Sequence, residues 1–218
     1  MKKILVLAAA LCLALCVFGA GCVDNDEPSG GGGASSGEEL DVKVGDSFTI
    51  GTYNGKALEW DVLAVDTKNE KVLLFLDGHV GEWVFENGDS PSWQTSSIRA
   101  KLNGDFFNEV FTDEEKADIL QTTVKNPANS RFSTSGGADT IDRLFLLSES
   151  EADTYFTEDE DRRLPGSEQW YLRTPGEYSD YFMLITDSGS LYYTGADSEN
   201  SYFIRPAFWL DLSADEEE

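Results

Sequence analysis

The chain has 218 residues, 40% hydrophobic and 12% aromatic, and its 41 acidic residues outnumber 16 lysines and arginines to give a formal net charge of −25. That charge repels nucleic acid and anionic lipid headgroups, so neither is expected as a partner of the folded part. All three cysteines lie within the first 22 residues, so the rest of the chain has no disulfide and depends on its core for stability.

The first 21 residues have the pattern of an export signal. Two lysines precede an uncharged apolar run over residues 4–20, which ends in small residues. A positive start, an apolar run and a small-residue site are typical of a secretory signal. The run approaches the length of a membrane span, so an uncleaved anchor helix is an alternative. Either way, the positive N-terminus stays inside and the remaining chain is expected outside the cytoplasm.

Cys22 follows the small residues 19–21 directly. This junction resembles the lipobox of bacterial lipoproteins, although Gly19 stands where that pattern has an aliphatic residue. The resemblance implies that Cys22 is lipidated, becomes the new N-terminus and anchors the chain to the outer face of the membrane. Ordinary cleavage without lipidation is the other alternative.

Four segments are expected along the chain. Residues 1–21 form the signal, and residues 22–39 form a Gly/Ser/acidic linker with almost nothing apolar to bury. Residues 40–214 have the composition of a single globular domain, and residues 215–218 form an acidic tail. Removal of the signal takes away two lysines and no acid, so the mature net charge is −27.

The domain begins with a predicted antiparallel meander. Residues 47–52, 58–65 and 71–76 are β-branched or aromatic runs separated by turn residues, including Asn54-Gly55. The apolar period then changes to that of a helix over residues 98–111, with a break expected near Gly104.

Two capping boxes follow. Thr112 and Ser148 each precede a glutamate by three residues, which predicts short helices towards Ile119 and Tyr155.

The C-terminal part of the domain is predicted to return to strands. Residues 182–186 and 191–193 flank the turn sequence at 187–190, which indicates a hairpin. Residues 202–210 are predicted to form a last strand that is interrupted by Pro206, which places the strand at a sheet edge or a bulge.

An ordered set of short motifs resembles a bacterial family, the domain of unknown function 6273. The resemblance covers nearly all of residues 45–212. Its motifs are the strand around Trp60 and residues 97–103, 111–116, 145–148, 170–176 and 204–207.

More distantly, a Trp-x-x-Arg segment followed by a closing strand with an arginine is similar to the C-type-lectin-like fold of formylglycine-generating-enzyme relatives. The expected fold class is therefore α+β and C-type-lectin-like, with antiparallel strands, two or three short helices and a long irregular C-terminal region. That fold implies paired first and last strands and a binding face in the C-terminal region.

Catalytic chemistry has little support in the residues. Formylglycine-generating chemistry needs reactive cysteines, which the mature domain lacks. His79 is the single histidine, so neither a catalytic triad nor a zinc site is expected. Among so many acids no defined pair indicates a glycosidase.

No cofactor is expected, although a bound calcium ion is an alternative. Asp187, Asp197, Glu199 and Asn200 could supply oxygen ligands to a calcium ion, or could simply be turn residues.

Three arginines, Arg99, Arg173 and Arg205, lie inside apolar motifs. They could form an anion-binding pocket, but we favour a structural role in which each guanidinium ties loop carbonyls and acids together. The tryptophans are likewise expected in the core, at positions 60, 93, 170 and 209.

Residues 177–202 are rich in Tyr, Ser, Gly, Asp and Asn, a composition that antibody paratopes use for adaptable contacts. The candidate ligand-binding residues are the tyrosines at five positions: Tyr178, Tyr181, Tyr192, Tyr193 and Tyr202. The alternative is a hairpin whose tyrosines occupy a half-buried face.

The expected function is that of a non-catalytic cell-surface lipoprotein that binds a glycan or a protein. An extracytoplasmic glycan hydrolase and a structural subunit of an envelope complex are the alternatives.

Overall fold

The computed structural model describes residues 42–86, 92–166 and 168–213. The predicted signal, Cys22, the linker and the acidic tail lie outside these residues. The strands are β1 (Ser47–Tyr53), β2 (Lys56–Asp66), β3 (Lys71–Leu76), β4 (Glu82–Val84), β5 (Thr122–Val124), β6 (Thr140–Asp142), β7 (Trp170–Pro175), β8 (Tyr181–Ile185), β9 (Leu191–Asp197), β10 (Ser201–Phe203) and β11 (Ala207–Asp211). The α-helices are α1 (Ser97–Lys101), α2 (Phe107–Val110), α3 (Asp113–Asp118) and α4 (Glu149–Tyr155).

The first sheet has the order β1-β2-β3-β11, and every neighbouring pair in it is antiparallel. The β1–β2 hairpin turns at Asn54 and Gly55, which both have positive φ (50° and 73°). That geometry matches the twist of antiparallel strands and is the reason Asn-Gly favours a two-residue hairpin. The predicted meander of three strands is confirmed.

The helical stretch after β4 is interrupted as predicted. A π-helical turn, Leu102–Phe106, joins α1 to α2, and Gly104 inside it has non-helical φ and ψ of −111° and −105°. Helix α3 packs back on β1, because Glu115 accepts a hydrogen bond from the backbone N–H of Gly51 at 2.8 Å. Gly51 lets α2 approach closely, since a Cβ there would lie 2.7 Å from Val110 Cγ1.

Both predicted capping boxes are confirmed. Thr112 accepts from the N–H of Glu115 at the start of α3, and Ser148 accepts from the N–H of Glu151 at the start of α4. In each case the glutamate side chain accepts from the N–H of the cap residue, so two free donors of the first turn are satisfied.

The second sheet has the order β4-β10-β7-β8-β9, and β5 pairs with β6 in a separate small sheet. The predicted β8–β9 hairpin is confirmed. The predicted last strand over residues 202–210 is interrupted at Pro206 as expected and ends in an edge strand, but the prediction of one strand is wrong because its two parts belong to different sheets. Its first part forms β10, which pairs with β4 and β7 in the second sheet, and its last part forms β11, which pairs with β3 in the first. Pro206 lies between them, where a missing N–H and a fixed φ suit a crossing from one sheet to the other.

The α+β class with antiparallel sheets and a few short helices is confirmed. Two features expected from the C-type-lectin-like fold are absent from the described residues. Strands β1 and β11 lie at opposite edges of the first sheet instead of pairing with each other. Residues 170–211 hold five strands, so the C-terminal part is mainly regular.

The two larger sheets pack on each other through aromatic side chains. Phe75 of β3 contacts Trp170 of β7 with ring centroids 5.5 Å apart, and Trp60 contacts Phe208 within the first sheet at 4.7 Å. Trp60, Trp93 and Trp170 are fully buried. Trp209 is only partly buried and packs at the rim of the core, with the Lys71 ammonium 4.7 Å from its ring.

Candidate functional site

Arg173 joins three parts of the domain and is 2% exposed. Its guanidinium donates to the carbonyl of Leu146 at 2.5 Å and to that of Lys125 at 2.8 Å, and it forms an ion pair with Glu151. Strand β7, the N-terminus of α4 and the start of the loop over residues 125–139 are thereby tied together. All of these acceptors belong to the chain itself, so this guanidinium acts as a structural tie.

Arg99 and Trp93 converge on the buried carboxylate of Asp142. Arg99 Nε donates to Oδ1 at 2.6 Å, and Trp93 Nε1 donates to Oδ2 at 2.9 Å. The hydroxyl of Thr140 also donates to Oδ2, at 2.6 Å. The Asp142 side chain has no exposed surface, and three donors compensate the cost of burying its charge.

Arg205 lies between the two sheets. Its guanidinium is 4.2 Å from the ring of Phe75 and 5.2 Å from that of Trp170, and it donates to the carbonyl of Leu76 at 3.0 Å. Burial lowers the pKa of Arg205 to about 10, and the nearby carboxylates of Asp77 and Asp61 oppose that shift. Arg205 Nη1 is buried without a partner among the described residues.

The calcium candidates lie in two separate turns, with Asp187 in one and Asp197, Glu199 and Asn200 in the other. Asp187 is in the turn before β9, whereas Asp197 ends β9 and uses its Oδ1 to accept from the N–H of Glu199 at 2.9 Å. The length of β9 separates the two turns by about 20 Å. Across the described ranges, no group of three or more His, Cys, Asp or Glu side chains could hold a metal ion.

His79 is engaged in local contacts. Its Nδ1 accepts from the N–H of Gly81 at 3.0 Å, Nε2 lies 3.5 Å from a carboxylate oxygen of Glu168, and its ring is 4.2 Å from that of Phe203. No nucleophile is among these contacts.

The five candidate tyrosines do not form one cluster. Tyr178 and Tyr181 contact each other at the β7–β8 turn, with ring centroids 5.2 Å apart. Tyr193 lies under the guanidinium of Arg131 at 3.6 Å. Its neighbour Tyr192 is 44% exposed and points to the opposite face of β9, as alternation along a strand requires. Of the five, the structure brings Tyr192 and Tyr202 to the same face of the second sheet.

The register of the second sheet defines that face. Tyr192 of β9 is opposite Leu184 of β8, which is opposite Tyr171 of β7, and directly paired residues share a face. The rings of Tyr171 and Tyr202 contact at 5.1 Å. Tyr202 in turn is the register partner of Trp83 on β4.

We call the exposed and half-buried members of this row the aromatic strip. It consists of Tyr192, Tyr202, Trp83 and Lys101, whose ammonium lies 3.6 Å from the centre of the Trp83 ring. Tyr171 is fully buried beneath it. Phe106, 5.6 Å from Trp83, supports the strip from the helical side.

The polar groups of the aromatic side chains in the strip are available to a ligand. The fully buried indoles of Trp60, Trp93 and Trp170 each donate to an acceptor within the chain, as a buried N–H requires. By contrast, Nε1 of Trp83 and the hydroxyls of Tyr192 and Tyr202 make no hydrogen bond to another described residue.

The phenols beneath and within the strip resist ionisation. Burial raises the pKa of Tyr171 strongly, and nearby Tyr202 and Asp197 add to the shift. The Tyr171 hydroxyl lies within hydrogen-bonding distance of the carbonyls of Asp197 (3.1 Å) and Asn200 (2.9 Å), which fixes the β9–β10 turn. Burial also raises the pKa of Tyr202, with a further contribution from Tyr192.

Sequence reasoning did not find Trp83, Lys101 or the supporting Tyr171. Trp83 lies more than 100 residues before Tyr192 in the chain, outside the tyrosine-rich stretch. A weak signal exists, because the short run Glu82-Trp83-Val84 beside Gly81 has strand composition with an aromatic at its centre.

Residues 69–212 match the model of the family described as Domain of unknown function (DUF6273). The match begins after β2, so the first hairpin lies outside it. No curated protein and no solved structure matches the chain. None of the helices in the described part of the chain is long and apolar enough to cross a membrane.

Proposed function

The chain belongs to the DUF6273 family, and we propose that it is a non-catalytic ligand-binding lipoprotein, exported and held on the outer face of the cell membrane by lipidated Cys22. Its ligand is a glycan or a protein. The observation that carries the proposal is the aromatic strip, in which rings from three strands present apolar faces and unpartnered donors along one side of the second sheet.

The contacts of Arg99 and Arg173 favour a structural role over an anion-binding site. The guanidiniums of Arg99 and Arg173 are occupied by carbonyls and carboxylates of the chain. They therefore hold the scaffold, and a rigid scaffold is what positions a binding surface at low entropic cost.

A C-type-lectin-like relationship remains part of the proposal as a hypothesis of fold. It would agree with a binding face built from the C-terminal strands, where Tyr192 and Tyr202 lie. The separation of β1 from β11 argues against a standard version of that fold, so the binding proposal rests on the strip alone.

The test is a glycan and protein array probed with the full mature chain, its Trp83→Ala variant and its Trp209→Ala variant. Trp209 is a matched control, because it is also a partly buried tryptophan with a lysine ammonium over its ring, but it lies on β11 of the other sheet. We expect Trp83→Ala to lose at least about tenfold in affinity and Trp209→Ala to keep the affinity of the parent chain. Ligands that bind both variants equally well would contradict the proposed surface.

Anchoring is tested separately in cells. We expect Cys22→Ser to abolish labelling by a fatty-acid analogue, and to release the protein from membranes or leave it unprocessed. Labelling that survives this substitution would rule out the lipoprotein proposal without bearing on the strip.

A further inference from the structure

His79 is the single histidine of the chain, and its two ring nitrogens have opposite environments. Nδ1 accepts a hydrogen bond from the backbone N–H of Gly81 at 3.0 Å, so it carries no proton. Nε2 therefore carries the proton of the neutral ring, and it lies 3.5 Å from a carboxylate oxygen of Glu168. The imidazole is held between a donor that requires the neutral ring and an acid that favours the charged one.

Further acidic side chains lie near the imidazole. The ring of His79 is 4.2 Å from that of Phe203 on β10. Glu82 of β4 is the register partner of Phe203, so its side chain shares that face. Asp77 precedes His79 by two residues in the connection between β3 and β4. Arg205 follows β10 and is buried between the two sheets. The acids favour the charged ring, whereas the bond from the backbone N–H favours the neutral one.

Gly81 connects His79 to the aromatic strip. Its φ is +116°, a conformation that favours glycine. A Cβ on Gly81 would lie 3.7 Å from Nε1 of Trp83, so the indole packs over this backbone. Trp83 alternates with Glu82 along β4, which places the indole and the imidazole of His79 on opposite sides of the strand. The backbone of Gly81 lies between the two rings and contacts both.

Protonation of His79 removes the acceptor of this hydrogen bond. Histidine is the side chain whose charge ordinarily changes between pH 5 and 8. When Nδ1 takes up a proton from solvent, both ring nitrogens are donors, and Nδ1–H faces the N–H of Gly81. Two donors repel each other, so the ring turns towards the carboxylate of Glu168. Gly81 then loses the bond that fixes its backbone, and the lack of a Cβ makes other conformations accessible to it.

We propose that His79 is a pH switch for the aromatic strip. The neutral imidazole holds Gly81, and through it the Trp83 indole, in the arrangement described here, and the charged imidazole releases both. The inference rests on the proposed binding function and adds its regulation. Loss of one neutral hydrogen bond corresponds to an affinity that falls about two- to tenfold between pH 8 and pH 5. The strip is thus ordered at neutral pH and loosened by acid.

NMR spectroscopy of the full mature chain without ligand tests the switch. The ring signals of His79 are unambiguous, because the chain has no other histidine. Between pH 8 and pH 5, the amide of Gly81 and the indole N–H of Trp83 should shift with the same midpoint as the ring of His79. The indole N–H of Trp209, on β11 of the other sheet, is the internal control and should not follow this titration.

His79→Asn separates His79 from other titrating groups. The side-chain oxygen of asparagine accepts from the N–H two residues on, as Nδ1 does here, but it does not titrate. The signals of Gly81 and Trp83 should therefore keep their pH 8 positions down to pH 5. At pH 5 the amide of Gly81 should exchange with solvent about two- to tenfold faster in the parent chain than in the variant. The variant also keeps Asp61, whose pKa is raised by burial, so a shift due to that acid would persist.

Two results would overturn the switch. One is that the signals of Gly81 and Trp83 stay in place while His79 titrates, and the other is that they shift equally in His79→Asn. Because no ligand takes part, either result leaves the proposed binding function standing. That function fails separately, if Trp83→Ala binds the array as the parent chain does.

Discussion

Replacement of Arg173 by alanine tests the structural reading of the arginine motifs. The substitution removes an ion pair with Glu151 and leaves the carbonyls of Leu146 and Lys125 without their donor. Loss of one partner of a buried ion pair costs about 3–5 kcal/mol. The Glu151 side chain is 29% exposed and keeps the N–H of Ser148 as a partner, which moves the ion-pair contribution towards the lower end.

The two carbonyls that lose their hydrogen-bond donor add about 1 kcal/mol each to that cost. We therefore expect Arg173→Ala to lower the free energy of unfolding by about 5 kcal/mol, a large share of the roughly 5–15 kcal/mol of an ordinary domain. Arg173→Lys keeps the charge but not the planar guanidinium, so it should lower the free energy of unfolding by about half as much.

Urea unfolding followed by tryptophan fluorescence measures both variants. Arg131→Ala serves as the control, because Arg131 is an exposed arginine that stacks on Tyr193. This variant should lower the free energy of unfolding by no more than about 1 kcal/mol. If Arg173→Ala unfolds with nearly parental stability but abolishes binding of an anion, the structural reading fails and Arg173 belongs to an anion site.

Three further predictions concern the core, alkaline pH and metal. Trp170→Ala should cost about 3–5 kcal/mol in urea unfolding, because a fully buried indole leaves a cavity; a loss below about 1 kcal/mol would contradict its place in the core. Because the raised pKa of Tyr171 makes the folded state hold a proton that the unfolded state releases above about pH 10, stability should fall as pH rises above that value. Tyr171→Phe should remove part of this slope, and an unchanged slope would refute the argument. Melting temperatures with and without EDTA should agree within about 1 °C, whereas a large drop on chelation would reveal a structural ion.

Local signals in the sequence were sufficient for much of the first half of the fold. Asn54-Gly55 sets a two-residue turn through its own backbone preferences, and the capping boxes at Thr112 and Ser148 need contacts only three residues away. Gly104 likewise interrupts the helix through its own backbone. In each case the energy that decides the structure comes from neighbours in the chain.

The parts that sequence reasoning missed depend on distant partners. Tyr202 and Trp209 lie seven residues apart in one largely apolar run, yet they belong to different sheets. Tyr202 is on β10, which pairs with β4 and β7, whereas Trp209 is on β11, which pairs with β3. The aromatic strip has the same origin, since Trp83 and Tyr202 become neighbours through a pairing across more than 100 residues. Composition identified the tyrosines but could not assign them to a face, because the bulge between Phe182 and Leu184 shifts the register of β9.

The position of β11 beside β3 has a consequence for how the chain folds. Their paired residues are more than 130 positions apart, so a chain that emerges N-terminus first holds β3 without its β11 partner until almost the whole domain has emerged. During that interval Val72–Leu76, a fully buried run of five apolar residues, is an open strand edge of the kind that pairs with other chains. The last strand to arrive is therefore the one that closes the aggregation-prone edge, and a chain shortened before Ala207 should precipitate even though every residue of the aromatic strip is still present.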